Sequence, residues 1–223
     1  MSKQQSMGKC NLCGQLVGQA SMTRHLSACY QPEASGLLPA SAKRPPAPSF
    51  HLVIEGRHAN AYWMHVAAPL TAPLSKLDDF LRHTWLECCG HLSAFELGGK
   101  RYASEPLDEE MSMTARLSQV LEVGMKFSYE YDFGSPTALV LKVVALREQG
   151  LPEGAVQLLA RNEAPQVSCH RCSIQPATQI CTECAWNGEG WLCKACALAH
   201  KCGDEMCLPV VNSPRVGVCG YAG

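Results

Sequence analysis

The sequence predicts an α+β protein in which a helix packs on an antiparallel sheet, with a small ββα-like zinc finger before this domain and a two-zinc cysteine-rich module after it. Three observations carry this expectation. The middle of the 223-residue chain switches from a three-to-four-residue apolar period to a strict period of two. Fourteen cysteines are present, and eight of them fall in Cys-x-x-Cys pairs. Those pairs lie at the two ends of the chain, outside the periodic stretch.

Composition divides the chain into an amino-terminal unit 1–30, a proline-rich linker 31–49, a central domain 50–164, and a cysteine-rich unit with a tail, 165–223. In the first unit, Cys10, Cys13, His25 and Cys29 form the pattern C-x2-C-x11-H-x3-C. The leading pair suits a tight knuckle. His25 and Cys29, four residues apart, project from one side of a helix, so a single tetrahedral Zn2+ can meet all four. Val17 and Met22 occupy the apolar positions such a finger needs for its miniature core, and a unit this small requires metal to fold.

In the central domain, His51–Glu55 and Tyr62–Val66 read as short strands. Leu74, Leu77, Leu81, Trp85 and Cys88 then recur on one face of a helix that Gly90 ends, which makes Cys88 a core residue. Phe127, Tyr129, Tyr131 and Phe133 alternate with polar residues as in a half-buried strand. The Gly134-Ser135-Pro136 turn and the return strand carrying Leu139, Leu141 and Val143 complete a hairpin. Asp132 is expected to point outward and cap the turn, and the adjacent Asp78 and Asp79 to be solvated.

The last unit holds Cys169, Cys172, Cys181, Cys184, Cys193, Cys196, His200 and Cys202, with Cys207 just beyond. Eight donors fill two tetrahedral structural zinc sites. An iron–sulfur cluster would leave the histidine and the surplus pairs unexplained. A thioredoxin-like role uses one such pair rather than a series. Spacing alone permits either sequential or crossed pairing, and either Cys202 or Cys207 as the last ligand. The order of donors resembles B-box and related cross-brace fingers, in which alternate pairs share an ion. That resemblance implies Cys169, Cys172, Cys193 and Cys196 on one zinc, and Cys181, Cys184, His200 and Cys202 on the other. Cys89 and Cys219 have no place in these patterns, and no physical role follows from the sequence for the motif-like stretch from Asn212-Ser213-Pro214-Arg215 to Cys219-Gly220-Tyr221.

The Tyr129-Glu130-Tyr131-Asp132-Phe133-Gly134 signature, with the strand around Trp63, the Leu74-Ser75-Lys76-Leu77 helix start and the His91–Phe95 strand, resembles the plasmid pRiA4b ORF-3-like family. The resemblance spans about Phe50 to Glu163. It implies a compact α+β fold and an association with mobile elements, but no biochemical function. Ser135, Thr137 and Leu139 stand where that family continues with an acid, Trp and His, and Tyr62-Trp63-Met64-His65 departs from its usual Trp-Arg.

The formal net charge of -1 is uneven: up to Ser49 the chain carries Lys3, Lys9, Arg24, Lys43 and Arg44 against Glu33 alone, whereas acids prevail in the central domain. A dedicated nucleic-acid binder would present a far stronger basic stripe. No apolar run reaches the roughly 18 residues of a membrane span, and Met1–Lys9 has no secretory pattern, so a cytoplasmic location is expected. Closed zinc sites stabilise folds without exposing a Lewis-acidic water. The sequence therefore predicts a non-catalytic zinc-binding interaction or adaptor protein holding three Zn2+ ions. A protein partner is expected, and nucleic acid is the second candidate through Ser21, Thr23 and Arg24. The alternatives are an enzyme using Asp132, Asp78, Asp79, His58, His65, His83 or His91, which no spacing unites, and a ligase-like recruitment module.

Overall fold

The computed structural model describes residues 6–29, 47–151 and 155–223. Most of the proline-rich segment, with Lys3, Glu33, Lys43 and Arg44, lies outside them. The first elements are β1 (Met7–Cys10), β2 (Leu16–Gly18) and α1 (Gln19–Cys29). The central part runs β3 (Ala47–Gly56), β4 (Trp63–Pro69), α2 (Leu74–Leu81), β5 (Ser93–Leu97), β6 (Lys100–Ala103), β7 (Met111–Ser112), α3 (Leu117–Val120), β8 (Lys126–Tyr131), β9 (Thr137–Leu151) and β10 (Gln157–Asn162). The carboxyl-terminal part adds β11 (Gln179–Cys181), α4 (Thr182–Ala185), β12 (Trp191–Leu192), α5 (Lys194–Leu198) and β13 (Cys207–Pro209).

The α+β class is as expected, but the sheet reaches further than the central domain. Ten strands form one sheet in the order β2-β1-β10-β4-β3-β9-β8-β5-β6-β7. Its pairs are antiparallel except β6 with β7. The finger's hairpin is thus joined to the sheet edge, with Gly8 opposite Asn162 and Cys10 opposite Ala160. β3 begins at Ala47, inside the segment read as linker.

β4 shows how the two halves share one sheet. It is buried along its whole length, because its faces serve different cores. Met64, Val66 and Ala68 join Leu52, Ile54, Leu74, Leu77, Leu81, Trp85, Phe95, Tyr129 and Leu141 in the main core. Trp63 and Ala67 join Leu159 and Ala160 against Cys10, Met22 and Leu26 of the finger. Met22 fills its expected core place and Val17 packs at the edge, but most of the finger's apolar cover comes from the sheet.

The helix stops earlier than its periodicity suggests. α2 passes into a π-helical turn, Arg82–Leu86, where the Glu87 amide donates to the Arg82 carbonyl at 2.8 Å. That wider turn keeps Trp85 and Leu86 buried, but it moves Cys88 off the helix axis into a bend, where it is only partly buried. The expectation that Cys88 is a helical core residue is corrected accordingly. The alternation of β8 likewise ends at Tyr131. Asp132 takes a left-handed φ of 65°, and Phe133 swings out to lie exposed beneath Arg101, whose guanidinium carbon sits 4.6 Å from the ring centre.

Candidate metal centres

The amino-terminal cluster is assembled by a knuckle and a helix. Cys10 ends β1, and the Gly14 amide donates back to the Cys10 carbonyl at 2.8 Å while Gly14 holds φ at 78°. The turn presents Cys13 to α1, where His25 and Cys29 share a face. Cys10 Sγ lies 4.0 Å from Cys29 Sγ, and Cys13 Sγ lies 3.4 Å from His25 Nε2. Metal–sulfur bonds of about 2.3 Å and metal–nitrogen bonds of about 2.1 Å in a tetrahedron place donors roughly 3.5–3.8 Å apart, so the four atoms fit one ion.

The carboxyl-terminal donors fall into two interleaved groups, Cys169, Cys172, Cys193 and Cys196, and Cys181, Cys184, His200 and Cys202. Within each group the ligand atoms lie within 4.8 Å of one another. Cys172 and Cys193 sulfurs are 3.9 Å apart; Cys184 Sγ is 3.3 Å from His200 Nε2 and 3.8 Å from Cys202 Sγ. The grouping is the crossed one. It arises because β11 pairs with both β12 and β13, which carries the chain back and forth between the two clusters. Cys207 on β13 points its sulfur at the Gly203 carbonyl, 3.7 Å away, and stands outside both groups.

The thiols in these groups are electrostatically incompatible as bare anions. Burial works to raise Cys169, but backbone N–H groups of Cys193, Cys172 and Arg171 bring it down to about 6. Its neighbour Cys196 is pushed up to about 12 by its bond to Cys193 and by burial. Burial and then bonds to Cys202 and Cys181 lift Cys184 to about 11, while burial and the bond to Cys13 lift Cys29 to about 12. Such a split is what adjacent anions produce, and a dication in their midst removes it.

A fourth group has the same donor chemistry: Cys88, Cys89, His91 and Cys219 also lie within 4.8 Å of one another. The described residues therefore hold four Cys/His clusters that could each take a metal ion, where the sequence reading counted three. Cys89 and Cys219 are separated by 130 positions, so no local spacing announces the cluster. The available signal was that Cys88, Cys89 and Cys219 fall outside the finger and module patterns, two of them near His91.

Of the candidate acids and histidines of an enzyme, the structure brings Asp132 and His91 together, Oδ2 to Nε2 at 3.6 Å, and leaves the others apart from that pair. Asp78 is buried rather than solvated: Ser93 Oγ and Tyr129 Oη each donate to its Oδ1 at 2.7 Å. Burial raises its carboxyl above the usual range, against the pull of those two hydroxyls and Arg82. Asp79 is surface-exposed and pairs with Lys76 at 3.3 Å. Asp132 caps the turn as expected, accepting from the Gly134 and Ser135 amides at 3.1 Å, yet it is buried instead of pointing outward. His65 is buried beside His51, His58 and His83 are exposed, and His91 belongs to the fourth cluster.

The carboxyl-terminal tail, opaque in the sequence, is built into the domain. Asn162 and Asn212 exchange amide hydrogen bonds at 2.8 and 2.9 Å. Ser213 Oγ donates to the Trp85 carbonyl at 2.6 Å, satisfying an acceptor left over at the end of the π-helical turn. Arg215 is completely buried and donates to Asp132, to Thr137 Oγ1 at 3.0 Å and to the Ser135 carbonyl at 3.2 Å.

Among the described residues no helix is long and apolar enough to cross a membrane. The chain matches no protein-family model and no curated protein. A solved structure of a protein of unknown function from Methanosarcina mazei Go1 is similar at 18% identity with a TM-score of 0.44, over 51% of this chain and 67% of that one.

Proposed function

We infer that the protein is a non-catalytic, zinc-organised binding protein whose carboxyl-terminal module recruits a protein partner. One contrast within that module carries the reading. Its interior is little more than Cys169, Cys181, Leu192, Cys193 and Ala197, which is too small to fold by apolar burial alone. Yet Ile174, Trp186 and Leu198 stand 83%, 79% and 71% exposed on it. Eight Cys/His donors in two closed sets supply the missing stability, and soft thiolate with imidazole favours zinc over harder cations. Large apolar side chains left outside so small a core gain stability when a partner covers them. A groove of about 680 Å³ between the clusters, edged by His170, Arg171, Glu189 and Lys201, adds polar groups for specificity.

The amino-terminal cluster fits a third zinc by the same donor argument. Thiolate ligation agrees with a reducing compartment such as the cytoplasm. The resemblance of the Tyr129–Gly134 signature to the pRiA4b ORF-3-like family supports a link to mobile elements.

The test is to recover the tagged full chain from its own cells, with and without nuclease, and to compare it with a Trp186→Ser, Leu198→Ser variant. Protein partners that survive nuclease and are lost from the variant support the reading. Partners released by nuclease would replace it with nucleic-acid binding.

A further inference from the structure

We propose that Cys88, Cys89, His91 and Cys219 form a fourth metal site, for zinc or a similar thiophilic dication, which clasps the carboxyl-terminal tail to the loop that follows α2. This goes beyond the reading above, since none of these donors belongs to the finger or the cross-braced module.

The donor set is that of a closed tetrahedral site, three thiols and one imidazole, with ligand atoms within 4.8 Å of one another. Cys89 and Cys219 sulfurs are 3.9 Å apart, and His91 Nε2 is 3.3 Å from Cys219 Sγ. These spacings match those of the other three clusters.

Neighbouring residues in an extended strand point to opposite sides, so two adjacent cysteines reach one ion only if the chain is bent. It is bent here. The π-helical turn ends at Leu86, Cys88 and Cys89 lie in a bend, and Gly90 follows with φ of 74°. Glu87 fixes that bend, accepting from the Gly90 amide at 2.6 Å, from Tyr131 Oη at 3.0 Å and from Arg82 Nε at 2.7 Å. The Cys88 and His91 amides both donate to Tyr131 Oη, at 3.5 and 3.3 Å. The loop is therefore held in a shape that collects its three donors.

The partner segment of the clasp, a turn in the tail, is held with comparable effort. Cys219 adopts a left-handed φ of 49°, one of four such non-glycine residues among those described, and Asp132 beside the cluster is another. Left-handed backbone at a residue without glycine's freedom persists where surrounding structure enforces it, and such positions concentrate at functional sites. Buried Arg215 donates to Cys88 Sγ at 3.4 Å and to Asp132, whose Oδ2 lies 3.6 Å from His91 Nε2. The Arg215 bond is an outer contact of the kind that orients a thiolate ligand and offsets its charge, whereas Asp132 faces the same His91 nitrogen that would bind the ion.

Cys89 and Cys219 are both exposed, against one exposed ligand, Cys13, in the finger and none in the module, which makes this site the more accessible to competing chelators. Because Asn212, Ser213 and Arg215 dock the tail independently, removal of the two exposed thiols should leave the fold standing.

The test is the metal count of the full chain, kept reduced and zinc-replete, by native mass spectrometry beside the Cys89→Ser, Cys219→Ser double variant. The expected result is four equivalents in the parent and one fewer in the variant, with tail proteolysis faster in the variant. Equal counts in the two proteins overturn the proposal. So does recovery of Cys89 and Cys219 as a disulfide from the metal-replete parent. Should the variant not fold, the parent count decides alone: three equivalents removes the site. Since the readout is a difference of one, it is separable from failure of the finger's one site and the module's two, which would lower both counts together.

Discussion

Arg215, in the tail, donates a 2.6 Å hydrogen bond to Asp132 Oδ2 in the β8–β9 turn, and both residues are buried. Asp132 meanwhile uses its other oxygen to cap that turn, so one carboxylate fixes both the hairpin and the tail. Arg215 also lies over the Tyr131 ring, 4.9 Å from its centre. Removing one member of a buried pair strands the other charge. Arg215→Ala should therefore cost about 3–5 kcal/mol in urea unfolding. A double-mutant cycle with Asp132→Asn should show strong coupling; additive losses would show that the two residues act separately.

The buried histidines should stay neutral in mildly acidic solution. Arg147 can only donate, so its 3.0 Å bond makes His51 Nδ1 an acceptor; His51 Nε2–H then donates to His65 Nδ1 at 2.9 Å. Burial, then the charge of Arg147, lowers His51 from 6.5 to about 3 and His65 to about 4. As pH falls below about 6.5 the unfolded chain takes up these protons first, so the contribution to stability is whole above that pH. It declines toward pH 4 by at most about 1.4 kcal/mol per pH unit for each ring. Imidazole resonances of His51 and His65 should not shift between pH 7.5 and 5. A midpoint near 6.5 would contradict the buried neutral chain.

Gly8 on β1 should tolerate no side chain. A Cβ there would meet the Trp63 ring and the Arg161 carbonyl oxygen, the latter at 2.6 Å, and the backbone atom cannot step aside. Gly8→Ala should lower the melting temperature and weaken metal binding at Cys10, Cys13, His25 and Cys29, because the strand that carries Cys10 would be forced off the sheet. Trp63→Ala should do the same through a cavity, costing about 3–5 kcal/mol. A finger that keeps full metal affinity in both variants would show that it folds without the sheet.

Tyr129→Phe tests the buried Asp78. Its hydroxyl donates to a carboxylate that has lost water, so the substitution should cost about 1–3 kcal/mol, measured by chemical denaturation, and should raise the Asp78 carboxyl further. A neutral substitution would mean that Ser93 suffices.

How far the fold was legible depended on the range of the interactions. Leu74, Leu77, Leu81 and Trp85 declared a helix face because helical neighbours are close in sequence, and the β8 alternation was equally local. The π-helical turn was not legible, since one extra residue per turn alters no composition, and Cys88 was misplaced for that reason. Asp78 reads as solvated until Ser93 from β5 and Tyr129 from β8 bring hydroxyls to it. The edge pairing of β1 with β10 joins residues 150 or more positions apart, and it makes an apparently separate finger part of the sheet. The paired cysteines announced three clusters through short spacings, whereas the fourth depends on the tail folding back.

The claim that metal organises both cysteine-rich ends is tested most directly by elemental analysis of the full chain, purified under reducing conditions from its own cells and then titrated with chelator. The account predicts zinc throughout, with at least three equivalents in the finger and cross-braced module, and loss of structure in that module once they are withdrawn. Iron in place of zinc, fewer than three equivalents, or a module that keeps its dispersed amide resonances after complete metal removal would contradict it.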